Sequence, residues 1–482
     1  MPVSLDLDAS RLAVKIREGR VRPSEAVEAA IEQIEKTHSV LNALVEKRFG
    51  AARKEAKQHE RKLAEGKAFG RLFGVPISVK ECFFVEGMKT TSGLTSRRDS
   101  SDREDAEIIR RLKREGAIIL GKTNTPALCF CQETENNLFG RTNNPWNPER
   151  TAGGSSGGEG ALIAVGGAFV GIGADIGGSI RFPAHFCGVI GFKSGMGQVP
   201  DRGIFPPVEE PIQKRMLGIG ALAKSVEDAR LIHEILADSP PSRLDLSSFR
   251  VMVPDPDPHL PLSDETAELL RRLKTRLSPS LEVRDEPPPY LRESALWWQK
   301  IMSVDGAEQL VRLTGMKNHL AVTLDWLKSK AGRPSELHPY LSWALIGARV
   351  FRPGVRERSR LEQLVLKAEH EVTRYLEKSI LILPVYHSAA PHHGKQYREV
   401  FSVRRTFLRY MPYISYANVF GLPALTVPVG EDRDGMPVAV QLLTLPGQED
   451  VLFQLGKELE RSFRGFVRCT LWDGGESGGA TA

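Results

Sequence analysis

Eleven of the 44 glycines in this 482-residue chain fall within the 29 residues from Gly153 to Arg181, seven of them in the runs Gly153-Gly-Ser-Ser-Gly-Gly-Glu-Gly and Ala174-Asp-Ile-Gly-Gly-Ser-Ile-Arg. Glycine enters backbone conformations closed to residues that carry a Cβ and lets main chain approach other groups closely, so a cluster this dense demands tight, closely surrounded loops. Ser155, Ser156 and Ser179 lie inside it. Hydroxyls held in such backbone point to chemistry in which main-chain N–H groups face a reacting atom. At Ser179 the two preceding glycines allow the N–H groups of Ile176, Gly177, Gly178 and Ser179 to converge on one point, as a tetrahedral oxyanion requires. A plain glycine turn between strand and helix, with Ser179 buried and satisfied, accounts for that segment alone equally well.

The run around Ser155 and Ser156 is also compatible with a phosphate cradle or a flexible loop. Gly154-Ser-Ser156-Gly-Gly158 matches the nucleophile-elbow pattern, but that elbow needs a strand directly before it. The preceding Asn144-Pro-Trp-Asn-Pro-Glu-Arg-Thr is a proline-broken loop. The dinucleotide and P-loop fingerprints fail on spacing. A base is offered by Lys80, which ends the apolar segment Val75-Pro-Ile-Ser-Val. Most lysines are surface charges, whereas on a buried strand lost hydration favours a neutral amine able to take a proton. His185, six residues after Ser179, falls on a predicted helix. His387, His392 and His393 cluster without a carboxylate at metal-site spacing, and Cys129-Phe-Cys131 is a weak metal pair. No metal or cofactor is expected.

The hydrophobic content of 41%, charged content of 26% and net charge of +6 (66 basic less 60 acidic residues) describe a globular chain. Its basic residues are interspersed with acidic ones, which argues against nucleic acid as a partner. Five cysteines, an odd number in a long chain, argue against a disulfide framework. With no secretory signal at the N-terminus, a cytoplasmic location is expected. The apolar uncharged run Gly160 to Ala174 falls short of the roughly 20 apolar residues that span a bilayer. No membrane span is expected; peripheral membrane contact and a homodimer remain open.

Periodicity predicts an early helix capped by Ser24, a second across Leu41 to Ala64, and a strand over Phe73 to Val79. A helix over Ala106 to Glu115 closed by Gly116, strands at Ala117 to Leu120 and Phe169 to Ile172, and a helix opening near Pro183 follow. A strand from Phe249, a helical stretch from Leu291 to Lys378, strands at Ile380 to Val385, Pro423 to Val429 and Val438 to Leu443, and a helix from Glu449 complete the pattern. Such alternation implies an α/β fold with a sheet flanked by helices. No linker divides the chain, so one domain over 1–473 is expected. Its parts are a helical segment 1–68, a core 69–235, a helical substrate-side region of about 287–378 and C-terminal strands and helix 379–473. Residues 474–482 are expected to be a flexible tail.

Gly153-Gly-Ser-Ser-Gly-Gly, Gly173-Ala-Asp-Ile-Gly-Gly-Ser-Ile-Arg-Phe-Pro-Ala, Cys187-Gly-Val-Ile-Gly-Phe-Lys and Gly74-Val-Pro-Ile-Ser-Val-Lys-Glu together resemble the amidase signature family. The likeness continues through Gly421-Leu-Pro-Ala-Leu-Thr-Val-Pro and Gly435-Met-Pro-Val-Ala-Val-Gln-Leu, covering nearly the whole chain. Ser156-Gly-Gly-Glu-Gly-Ala-Leu and Ile180-Arg-Phe-Pro look most like its fatty-acid-amide hydrolase branch. The resemblance implies a central mixed, twisted sheet covered by helices on both faces. It implies Ser179 as nucleophile, Ser155 as proton relay, Lys80 as base and a cis peptide before Ser155. The oxyanion hole would comprise Ile176, Gly177, Gly178 and Ser179, with Ser156, Asp175 and Arg181 supporting the loop. The implied activity is hydrolysis of a small carboxylic amide through a Ser-Ser-Lys triad and an acyl-enzyme. Alternatives are carbamate, aryl-amide or ester hydrolysis by the same triad, the A-type subunit of a tRNA-dependent amidotransferase, and an inert binding relative. Two departures stand out: Lys193-Ser-Gly replaces the usual Lys-Pro-Thr or Lys-Pro-Ser, and Ala174 replaces a small hydroxyl residue.

Overall fold

Thirteen strands form among the described residues: β1 (Leu44–Lys47), β2 (Pro76–Lys80), β3 (Ile118–Thr123), β4 (Glu135–Asn136), β5 (Gly140–Arg141), β6 (Val170–Asp175), β7 (Ile190–Lys193), β8 (Gly218–Ala223), β9 (Arg250–Met252), β10 (Val283–Arg284), β11 (Ser379–Pro384), β12 (Ala424–Glu431) and β13 (Pro437–Leu443). The computed structural model describes residues 3–67, 69–239, 241–402 and 406–474, so the tail expected beyond them lies outside the description. Seven strands, β2, β3, β6, β7, β8, β11 and β13, are buried at every position. Successive side chains point to opposite faces of a strand, so burial throughout means that both faces of the sheet are covered.

Eleven strands make one mixed sheet in the order β1-β3-β2-β6-β8-β7-β12-β13-β11-β9-β10, and β4 with β5 forms a separate ribbon. The strands β3, β2 and β6 are mutually parallel, with Lys80 opposite Thr123 and Val79 opposite Ile172. Pairing turns antiparallel at β6–β8. The C-terminal ends of β2 and β6 therefore open on the same edge of the sheet, beside the change of strand direction. Ligands of open α/β sheets bind outside such ends.

The predicted strands and helices largely form, with shifts at the beginning of the chain. The helix Pro23–Leu41 is capped by Arg22 and not by Ser24: Glu25 accepts the Arg22 N–H at 2.8 Å, and Pro23 occupies the first turn. The predicted second helix is split, because Leu44–Lys47 forms β1 on the sheet edge against β3 before the helix Phe49–Ala64 begins. Helices Leu291–Met302, Glu308–Thr314, His319–Lys330, Pro339–Val350 and Val355–Leu376 fill the expected helical region. Three of them build a small satellite core, where Val311, Val322, Leu341 and Leu345 pack with Leu94, Leu128 and Phe205. No helix among the described residues is long and apolar enough to cross a membrane.

Candidate active site

Lys80 ends β2, and with an exposure of only 1% it cannot reach bulk solvent. Its Nζ donates to Ser155 Oγ at 2.6 Å. Below it, Glu159 of the helix Gly157–Ala164 accepts hydrogen bonds from Ser78 Oγ of β2 at 2.5 Å and Thr123 Oγ1 of β3 at 2.8 Å; burial pushes its carboxyl up to about 8. Thr134 Oγ1 grips the Ser155 loop, donating to Gly153 O at 2.8 Å and accepting from Gly157 N–H at 3.1 Å. The Gly154–Ser155 peptide is cis. Ser156 N–H donates to Ser179 O at 3.0 Å and so ties this loop to the second glycine turn. Ser156 Oγ, fully buried, has no hydrogen-bond partner among the described residues.

The second turn leaves the end of β6 at Asp175. That carboxylate organises it: Oδ1 accepts from Gly178 N–H at 2.8 Å, Asn418 Nδ2 at 2.9 Å and Arg181 Nη2 at 3.0 Å. Its Oδ2 accepts from Arg181 Nε at 3.0 Å and Ile180 N–H at 3.1 Å. Burial works against the charge, yet the Arg181 guanidinium, with Lys193 and Asn418, holds the carboxyl well below the usual carboxylate range. Arg181, itself buried, also donates to Ile414 O at 2.8 Å and Gln441 Oε1 at 2.9 Å. Gly178 carries φ of 94°, which a residue with a Cβ would resist.

This arrangement revises the expected oxyanion donors. The Gly178 N–H is taken up by Asp175, because the chain must fold back on the carboxylate to make the turn. The N–H groups of Ile176, Gly177 and Ser179 have no acceptor among the described residues. The carbonyl ends of the Gly177 and Ser179 peptides are anchored: Trp298 Nε1 donates to Ile176 O at 2.9 Å, and Phe182 N–H donates to Gly178 O at 2.8 Å, while Gln132 Nε2 reaches Gly177 O, on the Gly178 peptide, at 3.4 Å. Lys80, Ser155, Asp175, Ile176 and Ser179 line one cavity of about 90 Å³, walled by apolar groups including Phe130, Phe205, Leu217 and Met302. A second apolar cavity adjoins it, sharing Phe130 and Met302.

A family model described as Amidase matches residues 25–453. The chain belongs to the amidase family. Fatty-acid amide hydrolase 2-B of Danio rerio is 32% identical to it, across 96% of this chain and 90% of that one. The A subunit of glutamyl-tRNA(Gln) amidotransferase from Lachnospira eligens is 30% identical across 95% of this chain and 98% of the relative. Among solved structures, 6-aminohexanoate cyclic dimer hydrolase complexed with substrate has a TM-score of 0.79 at 26% identity, covering 96% of this chain and 98% of that chain.

The structure of this amidase-family chain also answers the rival residues. His185 is a core histidine: its Nδ1 accepts from Ala439 N–H at 2.8 Å and its Nε2 donates to Ser388 O at 2.9 Å, while burial lowers it to about 4. His387 stacks on Tyr410, and His393 bonds to Pro148 O at 2.9 Å. The departure at Ser194 is accommodated, since its Oγ accepts Ile219 N–H at 3.1 Å. Lys193 is buried beneath this turn and donates to Leu422 O at 3.0 Å. Asn418 is not foreseen as part of the site. Asn418 stands 243 residues from Asp175, and no local pattern marks it.

Proposed function

We propose that this enzyme hydrolyses a small carboxylic amide through a Ser179-Ser155-Lys80 triad and an acyl-enzyme. The observation that carries the reading is the 2.6 Å contact from Lys80 Nζ to Ser155 Oγ in a cavity that Ser179 also lines. Neutral Lys80 takes a proton from Ser155 Oγ as Ser155 takes the proton of Ser179 Oγ and that oxygen attacks the carbonyl carbon. The negative charge that develops on the carbonyl oxygen is held by the N–H groups of Ile176, Gly177 and Ser179. The proton then returns through Ser155 to the departing nitrogen, the C–N bond breaks, and water releases the acyl group by the same path. Ser156, Asp175 and Arg181 act as supports of the two loops and touch no reacting atom.

The apolar walls around Phe130 and the adjoining cavity favour substrates whose acyl or amine portion is apolar, in keeping with the resemblance to fatty-acid amide hydrolases. Carbamates, aryl amides and esters would use the same groups. The similarity to one component of a tRNA-dependent amidotransferase supports a second reading, ammonia release from glutamine within a larger complex; the apolar cavity weighs against a polar glutamine side chain. Hydrolysis of amides graded in acyl length by the purified chain, together with fluorophosphonate labelling mapped by peptide mass, tests the proposal. Ser179→Ala is expected to abolish both turnover and label. Full turnover by that variant, or a label on another serine, refutes the assignment.

A further inference from the structure

Two thiols line the cavity that holds Lys80, Ser155 and Ser179, and the hydrolytic steps use neither. Cys82 lies two residues beyond Lys80, fully buried, with its N–H donating to Lys80 O at 2.7 Å. Cys129 ends the short turn Ala127–Cys129 that follows β3 and is half-buried. Because β2 and β3 are parallel neighbours, the segments leaving their ends meet here, and the two thiols are in hydrogen-bond contact.

The turn that presents Cys129 is strained. Leu128 and Cys129 hold φ of 54° and 57°, left-handed values that residues with a Cβ resist and that persist only where the surroundings impose them. Here Leu128 is locked into the satellite core, and its N–H donates to Ser92 O at 2.8 Å. Cys129 is thereby held at the cavity wall, where Thr125 Oγ1 donates to its Sγ at 3.3 Å. The hydrogen bond from Cys82 favours its thiolate against the effect of burial, while burial pushes the Cys82 thiol up. Cys131, Cys187 and Cys469 are all pushed up by burial. A thiolate with access, beside a second thiol able to resolve it, is the arrangement found at peroxide-reactive cysteines.

We propose that Cys129 is a modification site for hydrogen peroxide inside the substrate cavity, with Cys82 as its resolving thiol, so that oxidation closes the hydrolytic site. The Cys129 thiolate attacks one peroxide oxygen; an S–O bond forms, the O–O bond breaks, and the hydroxide released takes up the thiol's proton as water. Cys129 is now a sulfenic acid, oxidised by the two electrons that the peroxide gained. Cys82 sulfur attacks it, the S–S bond forms, and the S–O oxygen leaves with the Cys82 proton as a second water. Two thiols and one peroxide give one disulfide and two waters, and a thiol reductant reverses the change.

The test treats the full chain with hydrogen peroxide, blocks remaining thiols with iodoacetamide and maps the peptides by mass. Expected are a cross-linked Cys82–Cys129 peptide pair lighter by two hydrogens, formed at least about tenfold faster than any oxidation of Cys131, Cys187 or Cys469, and its reversal by dithiothreitol. Fluorophosphonate labelling of Ser179 should fall in step with it. Cys82→Ser should stop at a sulfenic acid on Cys129, trapped by dimedone. Labelling of Cys129→Ser should be equal with and without peroxide. The wild-type map decides alone if a variant fails to fold. Cys129 remaining alkylatable while another cysteine oxidises overturns the proposal, as does a full disulfide with undiminished labelling. An untreated chain that neither hydrolyses amides nor takes the label counts against the hydrolase reading instead, and leaves the thiol map to be judged separately.

Discussion

Asp175→Asn is the perturbation that most sharply tests how the Ser179 turn is held. The carboxylate is fully buried and serves the Arg181 guanidinium from both oxygens, besides the amides of Gly178 and Ile180. Asparagine is nearly isosteric, so no cavity opens. Its Oδ1 can keep the contacts of Gly178 and Asn418, but its amide group then faces Ile180 N–H and Arg181 Nε–H, donor against donor. Arg181, with no exposure, retains a charge without a counter-charge. Removing one partner of a buried pair costs about 3–5 kcal/mol, a large share of a stability of roughly 5–15 kcal/mol. Urea unfolding followed by fluorescence should show that loss, and fluorophosphonate should label Ser179 more slowly. Because the folded carboxyl is held below its ordinary value, its contribution is present above the unfolded value of 3.8 and is lost as pH falls through the lower folded one. The deficit of the variant should therefore be constant from neutral pH down to about 5 and shrink only in stronger acid. Adding Arg181→Met removes the orphaned charge, so the double variant should be more stable than the sum of single losses by about 2 kcal/mol. A loss under about 1 kcal/mol for Asp175→Asn, or strict additivity in the cycle, would refute the view that this pair holds the turn.

Two further outcomes follow from the same geometry. Trp298→Phe deletes the donor that fixes Ile176 O; a hydrogen bond of this kind is worth about 0.5–1.5 kcal/mol, so kcat should fall roughly 2- to 10-fold with little change in KM. A change confined to KM in steady-state kinetics would show that the indole contacts substrate and does not position the proposed oxyanion donors. His185, lowered by burial from 6.5 to about 4, binds its proton in the unfolded chain first, so stability should fall as pH drops from 6.5 towards 4, by roughly 3 kcal/mol in total. Unfolding midpoints measured across that range should show the slope in the parent and a shallower one in His185→Asn.

Much of the site was legible because its residues lie in dense local patterns. The strand character of Val75 to Val79, the two glycine turns and the proline-marked helix after Ser179 each follow from neighbours in the chain, and β2, β6 and the helix Arg181–Cys187 form where those patterns lie. The misreading of Leu41 to Ala64 has an equally local cause. Leu44–Lys47 carries no pattern stronger than its helical surroundings, and it becomes a strand because β3 offers it an edge. Gly178 shows the same limit at finer scale: a pair of glycines permits four converging amides, but a carboxylate three residues earlier captures one of them.

From the sequence alone came the residue types, their order and the backbone freedom: a lysine on an apolar strand, serines among glycines, and a family likeness that assigns them roles. Local chemistry is written in neighbouring residues, so it can be read from them. Which groups face one another was decided only by the tertiary structure. Strand pairing set the end of β2 beside the end of β6, and long-range packing brought Trp298, Asn418 and Gln441 onto a turn more than a hundred residues away. The meeting of Cys82 and Cys129 is of that kind as well. Contacts of this sort depend on which buried surfaces match when the sheet closes over its core, and no stretch of neighbouring residues encodes that match.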